Sequence, residues 1–124
     1  YDIDTFGHHW FENLNGKGFI PHTLPKLAQL SSINTIEVVD FNKDTYPDII
    51  VHGNLYDFEP ETPRNDAGLG LLLMGSVGGF TPVPPADSKL FLRKNIKDSE
   101  VITIGENQMI IFSENDGKLS FVQW

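Results

Sequence analysis

The sequence predicts an all-β fold of antiparallel strands, and three observations lead to it. β-Branched residues dominate the runs at 36–39 and 49–51, which favours strands over helices. Segments rich in Asn, Asp and Gly at 13–18, 75–79 and 115–117 are typical of the turns in β-hairpins. The first hairpin also recurs 61 residues later, and such a period indicates a repeat architecture. The matched pairs are Phe11 with Leu72, Gly18 with Gly79, Phe19 with Phe80, and Pro21 with Pro82.

The predicted strands follow from apolar runs bounded by turn residues. A strand ending at Glu12 and one at 19–24 flank the first turn, and a proline-bearing connector follows at 25–32. Strands at 33–39 and 48–54 flank an acidic loop, and strands at 69–74 and 80–83 flank a glycine-rich turn. After a second connector at 84–97, three strands are expected at 101–104, 109–113 and 119–123.

Composition limits the function classes. The 124 residues are 40% hydrophobic, enough for one compact core. A net charge of −8 argues against a nucleic-acid partner, which requires clustered Lys and Arg. No apolar run approaches the roughly 20 residues of a membrane helix. The absence of cysteine excludes disulfides and thiol chemistry.

The acidic loop between two predicted strands indicates a calcium site. Asp40, Asn42, Asp44 and Asp48 place oxygen-bearing side chains along the loop, and the backbone carbonyl of Tyr46 supplies a further oxygen. Ca²⁺ takes about 6 to 8 oxygen ligands, several of them anionic. The loop offers neither thiolate nor imidazole, which argues against zinc or copper. A merely polar turn is the alternative, since Asn and Asp favour turns.

An EF-hand does not fit this loop. Its twelfth position requires a Glu and its sixth a Gly, whereas Val51 and Thr45 stand there. The β-branched flanks also favour strands over the helices of an EF-hand. The calcium loop is therefore expected to join two strands.

The loop, the following DIIVHGN, and the later GLGLLLMGSVGGFTPV together resemble the FG-GAP or VCBS repeat, the calcium-loop β-propeller blade of integrin alpha chains and of large secreted bacterial proteins. The resemblance implies about two to two and a half four-stranded antiparallel blades, and a closed propeller has typically 4 to 8. It implies that Asp40, Asn42, Asp44 and Asp48 bind Ca²⁺. Thr45 departs from the family, which often has Gly there.

The resemblance also implies a division of the chain and a location. Residues 1–32 are expected to form a partial blade and connector, 33–85 a complete blade, and 86–124 a partial last blade. The protein is expected to be extracellular, on the cell surface or periplasmic, and to self-associate through open sheet edges. One calcium site is expected rather than two, because the turn at 105–108 is too short to supply the same ligands.

The long loop at 55–68 is the second candidate site. Loops of this length tend to be functional or mobile. It carries Tyr56, Phe58, Arg64 and Asp66, which are suited to a protein or glycan partner, with Trp10 as a further stacking surface. The alternative is that Arg64 pairs with a nearby acid and that the aromatic residues only hold the loop in place.

No catalytic constellation is recognisable, so the chain is not expected to be an enzyme. G-x-S-x-G, H-E-x-x-H and phosphate-binding glycine loops are absent. Glu59 and Glu61 are better read as solvated acids than as a glycosidase pair. His8 and His9, adjacent on a strand, point to opposite faces and are poorly placed to share a metal. A fragment of a larger enzyme with its chemistry elsewhere is an open alternative.

Overall fold

The computed structural model describes residues 2–56 and 59–124 and confirms the all-β prediction. Its nine strands form three antiparallel sheets, and none of these sheets closes on itself within the described residues. The first sheet pairs β1 (His9–Asn13) with β2 (Phe19–Thr23). A 3₁₀ helix, Lys26–Gln29, leads from it to the next sheet.

The middle sheet is a four-stranded meander. Its strands run in sequence order, β3 (Thr35–Val39), β4 (Asp48–His52), β5 (Leu71–Ser76) and β6 (Gly79–Val83). A short helix α1, Pro85–Ser88, follows. Sequential hairpin pairing explains this order, because each strand meets its chain neighbour first.

The third sheet has three strands, β7 (Ile96–Ile104), β8 (Asn107–Glu114) and β9 (Ser120–Gln123). β7 begins five residues before the predicted strand at 101, inside the expected connector, and is bulged between Ile96 and Asp98. The residues at 97–100 are polar, so a hydrophobicity pattern does not reveal this part of the strand. The turn to β8 is also shorter than predicted, consisting of Gly105 and Glu106 alone.

Two apolar clusters join the sheets. The larger cluster lies between the middle and third sheets, and its fully buried members are Ile50, Leu72, Leu90, Ile96, Ile110 and Phe112. The smaller cluster lies between the first and middle sheets, where Leu24, Ala28 and Leu73 are buried against Trp10 and Phe80. The three sheets therefore stack in chain order, and the two central strands of the middle sheet are covered on both sides. On its edge strand β3, Ile36 and Val38 remain 56% and 67% exposed.

The register of the two matched hairpins corrects one pair of the predicted repeat. Phe11 lies opposite Pro21, whereas the partner of Pro82 is Leu73. Phe11 is therefore equivalent to Leu73 and not to Leu72. The reason is the turn: pairs Asn13–Phe19 and Gly75–Phe80 enclose loops that differ by one residue.

Candidate metal centre

The acidic loop is held by the last residue pair of the β3–β4 hairpin. Val39 lies opposite Asp48, so residues 40–47 leave the sheet between two directly paired positions. The loop curls because Lys43 and Thr45 adopt left-handed backbone angles, with φ of 62° and 74°. Such angles are uncommon for residues other than Gly and are least favourable for a β-branched residue such as Thr45.

Three predicted ligands turn their oxygens toward the inside of this curl. Asp40 accepts the backbone N–H groups of Asp44 and Thr45 through its two oxygens, each at 3.0 Å. The amide oxygen of Asn42 accepts the same Asp44 N–H at 3.1 Å. Oxygens of Asp40 and Asn42 thus both lie within 3.1 Å of one nitrogen atom.

Asp44 completes this group. Its Oδ1 accepts the backbone N–H of Tyr46 at 2.8 Å, and its Oδ2 accepts the side-chain amide of Asn42 at 2.7 Å. All of these ligand side chains are exposed to solvent. The structure therefore brings Asp40, Asn42 and Asp44 together, and a cation entering from solvent would meet two carboxylates and one amide oxygen.

Asp48 occupies a different position from the other three. It is 0% exposed, and its two oxygens accept backbone N–H groups from Phe41 at 2.8 Å and Gly75 at 2.7 Å. These contacts fix the end of the loop and tie β4 to β5. Its role as a metal ligand, like that of the Tyr46 carbonyl, stays a prediction.

A metal at this loop would depend on mixed oxygen ligands. Within residues 2–56 and 59–124, no three His, Asp or Glu side chains are grouped closely enough to hold an ion by themselves. The convergent set at 40–44 instead contains the neutral Asn42 oxygen beside two carboxylates. Carboxylate and amide oxygens on a curled chain suit the flexible coordination of Ca²⁺.

The loop at 55–68 is closed at its base. Leu55 and Asn65 exchange two backbone hydrogen bonds, at 2.8 and 3.1 Å. Asn54, fully buried, accepts the N–H of Gly68 and donates to the carbonyls of Gly68 and Lys94, each at 2.8 Å. The hydroxyl of Ser31 also donates to the side-chain oxygen of Asn54, at 2.8 Å. The ends of the loop are therefore firmly attached to the core.

Within this loop the structure brings Tyr56 and Arg64 together. The guanidinium carbon of Arg64 lies 5.2 Å from the centre of the Tyr56 ring, a cation–π arrangement. Asp66 is half-buried close to the base, and Phe58 lies outside the described residues. One face of Tyr56 is therefore already covered by the chain itself.

Trp10 belongs to the packing between two sheets. Its ring stacks on His22 with centres 4.2 Å apart, and it meets Phe80 edge to face at 5.8 Å. None of these contacts involves the loop at 55–68.

The adjacent histidines each make a local contact with a backbone carbonyl. Nδ1 of His8 lies 2.7 Å from the Ala28 carbonyl, and Nδ1 of His9 lies 2.8 Å from the Gly7 carbonyl.

His52 is a buried titratable residue that the sequence reasoning missed. It is 2% exposed, and its Nε2 donates to the carbonyl of Leu92 at 2.7 Å. Burial lowers the pKa of this imidazole below its ordinary value of 6.5, and the bond to Leu92 partly opposes the shift. Its position two residues after Ile50 on the same strand was the available signal, because alternate residues share a face.

Comparison of the chain with protein-family models, curated proteins and solved structures found no match. Among the described residues, no helix has the length and apolar character required to cross a membrane. The local geometry is therefore what bears on function.

Proposed function

We propose that this chain is a calcium-binding segment of a β-propeller, a non-enzymatic structural or recognition scaffold of an exported protein. The observation that carries the proposal is that oxygens of Asp40 and Asn42 share the backbone N–H of Asp44, while the Asp44 carboxylate accepts the side-chain amide of Asn42. A turn needs one acceptor for that N–H. Two acceptors for one N–H, with a second carboxylate beside them, are what support a cation site here.

The arrangement of the sheets supports the propeller part of the proposal. The middle sheet is a four-stranded antiparallel meander, which is the unit of a propeller blade. It packs on one side against the first sheet and on the other against the third. Face-to-face stacking of such sheets in chain order agrees with the resemblance to FG-GAP and VCBS repeats.

The role proposed for the ion is structural. Ca²⁺ would neutralise the carboxylates of Asp40 and Asp44, two negative charges held in the same loop. It would also stabilise the left-handed angles at Lys43 and Thr45. An ion that binds only the folded state stabilises by about 2.7 kcal/mol at a hundred times its dissociation constant. Extracellular modules bind Ca²⁺ at about 0.1 to 1 mM, so the effect suits an exported protein.

Thermal unfolding in millimolar Ca²⁺, in Mg²⁺ and in chelator tests the proposal. The melting temperature is expected to rise in Ca²⁺ above its value in Mg²⁺, because Mg²⁺ requires near-octahedral geometry and gives up its water reluctantly. Asp44→Ala should abolish the rise, and Asp44→Asn should reduce it. Glu106→Ala, which removes an exposed acid from another turn, is the matched control and should keep it.

An equal melting temperature in Ca²⁺ and chelator would contradict calcium binding. A rise that Asp44→Ala leaves unchanged would contradict this location for the site. Isothermal titration of the wild type with Ca²⁺ gives the stoichiometry, and one ion per chain is expected because only one loop carries the ligand pattern.

The second candidate is a recognition module for a protein or glycan that uses the loop at 55–68. The observation that favours it is the placement of the exposed Arg64 over Tyr56, which orients a cationic group at the surface. Glycan-array binding that is lost in both Tyr56→Ala and Arg64→Ala would support it. Binding that only Trp10→Ala reduces would point instead to the packing between the sheets.

A further inference from the structure

The two faces of the middle sheet pack against different sheets. Ile50 and Leu72 belong to the cluster shared with the third sheet, and we call their side the back face. Leu73 and Ile49 belong to the cluster shared with the first sheet, and we call their side the front face. Alternate residues of a strand lie on opposite faces, so these assignments fix the rest of the sheet.

The third sheet repeats this pattern. Its β8 residues Ile110 and Phe112 are fully buried against the back face of the middle sheet. They stand 61 residues after the front-face residues Ile49 and Val51, so they form the front face of the third sheet. A front face therefore packs against the back face of the preceding sheet.

The back face of the third sheet has no covering sheet in the described part of the chain. Ile111 is equivalent to the fully buried Ile50 but remains half-buried. Phe121, paired with Ile111, is 58% exposed, and Ile104 is 59% exposed. This back face also carries Ile102, paired with Met109. Within the described residues this back face is therefore an uncovered apolar patch, with the acids Asp98 and Glu100 at one end of the same face.

The first sheet presents the complementary surface. Its Trp10 and His22 lie on the side that packs against the middle sheet. Phe11 and Phe19 lie on the other side, equivalent by register to the front-face residues Leu73 and Phe80. Leu73 is 0% exposed, whereas Phe11 is 61% and Phe19 66% exposed. The first sheet therefore has an uncovered apolar front face.

We propose that copies of this chain associate head to tail, the back face of the third sheet of one copy packing on the front face of the first sheet of the next. The partner is a second copy because one chain carries both surfaces that this contact needs. The same contact, a front face on a back face, already joins the first sheet to the middle sheet and the middle sheet to the third. The contact continues the existing stacking and differs from pairing through open sheet edges. It requires sheet packing alone, so it stands whether or not the loop at 40–48 binds Ca²⁺.

The symmetry of this contact determines what kind of assembly can form. Two different surfaces meet, so the interface is heterologous and continues into a ring or a filament. A net charge of −8 on each copy opposes association, and salt screens that repulsion. Association is therefore expected to strengthen with both protein concentration and ionic strength.

Sedimentation velocity over a series of concentrations tests the proposal, with Phe19→Ser removing one face and Phe121→Ser the other. The wild type is expected to grow beyond a dimer with concentration, and each variant alone should remain a monomer. A mixture of the two variants should form a one-to-one dimer, because each retains the face that the other lacks. Val77→Ser is the control, since Val77 is 88% exposed in a turn outside both faces.

Measurements in chelator and in Ca²⁺ separate this inference from the proposed calcium site. Association that is equal in chelator and in Ca²⁺ supports head-to-tail packing, and the calcium site is then judged by the melting temperatures and the titration alone. A wild type that stays monomeric at every concentration overturns the inference. So does a single variant that still dimerises alone, because that would require a face packing on its own copy.

Discussion

The carboxylate of Asp48 accepts a hydrogen bond of 2.7 Å from the backbone N–H of Gly75 across the β4–β5 pair. Asp48 also ends the loop for which the sequence predicts calcium binding. The second oxygen of Asp48 holds Phe41, inside the loop itself. A side chain at Gly75 would place its Cβ 2.1 Å from the carbonyl of Pro47. The loop and the strand therefore meet at a contact that requires Gly on one side and a carboxylate on the other.

Asp48→Asn is expected to lower the free energy of unfolding by about 2 to 4 kcal/mol, because an amide can accept only one of the two buried N–H groups. Urea unfolding in chelator measures this without any contribution from a metal. Asp40→Asn, an exposed change in the same loop, should cost much less. Equal costs for the two variants would contradict the structural role of Asp48.

Thr45→Gly is expected to stabilise the protein by about 1 kcal/mol, since a β-branched residue at φ of 74° is strained and Gly is not. Thr45→Ala should stabilise less, because Ala still carries a Cβ. Thermal melts in chelator compare the three proteins. A loss of stability in Thr45→Gly would show that the threonine side chain contributes more than its backbone angle costs.

His52 makes stability depend on pH in a defined direction. Its pKa in the folded protein lies below 6.5, so the unfolded chain binds the proton more readily. The free energy of unfolding is therefore expected to fall as the pH drops below about 6.5 toward the folded pKa, and to be free of this penalty above 6.5.

Urea unfolding from pH 8 to pH 5, compared between the wild type and His52→Gln, measures this contribution. The variant keeps a donor for the Leu92 carbonyl but does not titrate, so its stability should fall less on acidification. His22→Gln is the control, because the His22 side chain is 39% exposed, whereas His52 is 2% exposed. Parallel pH profiles for the wild type and His52→Gln would exclude His52 as the source.

Asn54→Ala is expected to lower the free energy of unfolding by about 3 kcal/mol, because several buried hydrogen bonds at the base of the loop are lost together. Limited proteolysis should then cleave within residues 55–68 faster than in the wild type. Asn115→Ala, in an exposed turn, should change neither property. Unchanged proteolysis would show that the Leu55–Asn65 pair alone holds the loop base.

The sequence was sufficient for the strands whose apolar pattern is strong and whose partner is close in the chain. The β3–β4 hairpin and the turn before β2 lie where the pattern predicts, whereas the turn before β6 contains only Val77 and Gly78 of the predicted 75–79. The early start of β7 was missed, because Ser99 there is buried through a long-range contact with Thr35 rather than through apolar character. Such contacts depend on how the sheets stack, which local patterns do not report.

The same distinction between local pattern and long-range contact applies to the candidate site. Convergence of Asp40, Asn42 and Asp44 follows from spacing within one short loop, and the sequence predicts it. The burial of Asp48 depends on Gly75, 27 residues away, and the packing of Trp10 depends on Phe80 on another sheet. Trp10 therefore looked like a free stacking surface in the sequence although the fold already uses its ring.

The closed base of the loop at 55–68 has a practical consequence for engineering. Leu55 and Asn65 are paired by two backbone hydrogen bonds, so the distance between the loop ends is set by the core and does not depend on what joins them. Lengthening a loop whose ends are already held together costs little, about 0.6 kcal/mol for each doubling of its length. Peptide epitopes or affinity tags inserted after Glu61 should therefore be displayed without loss of folding.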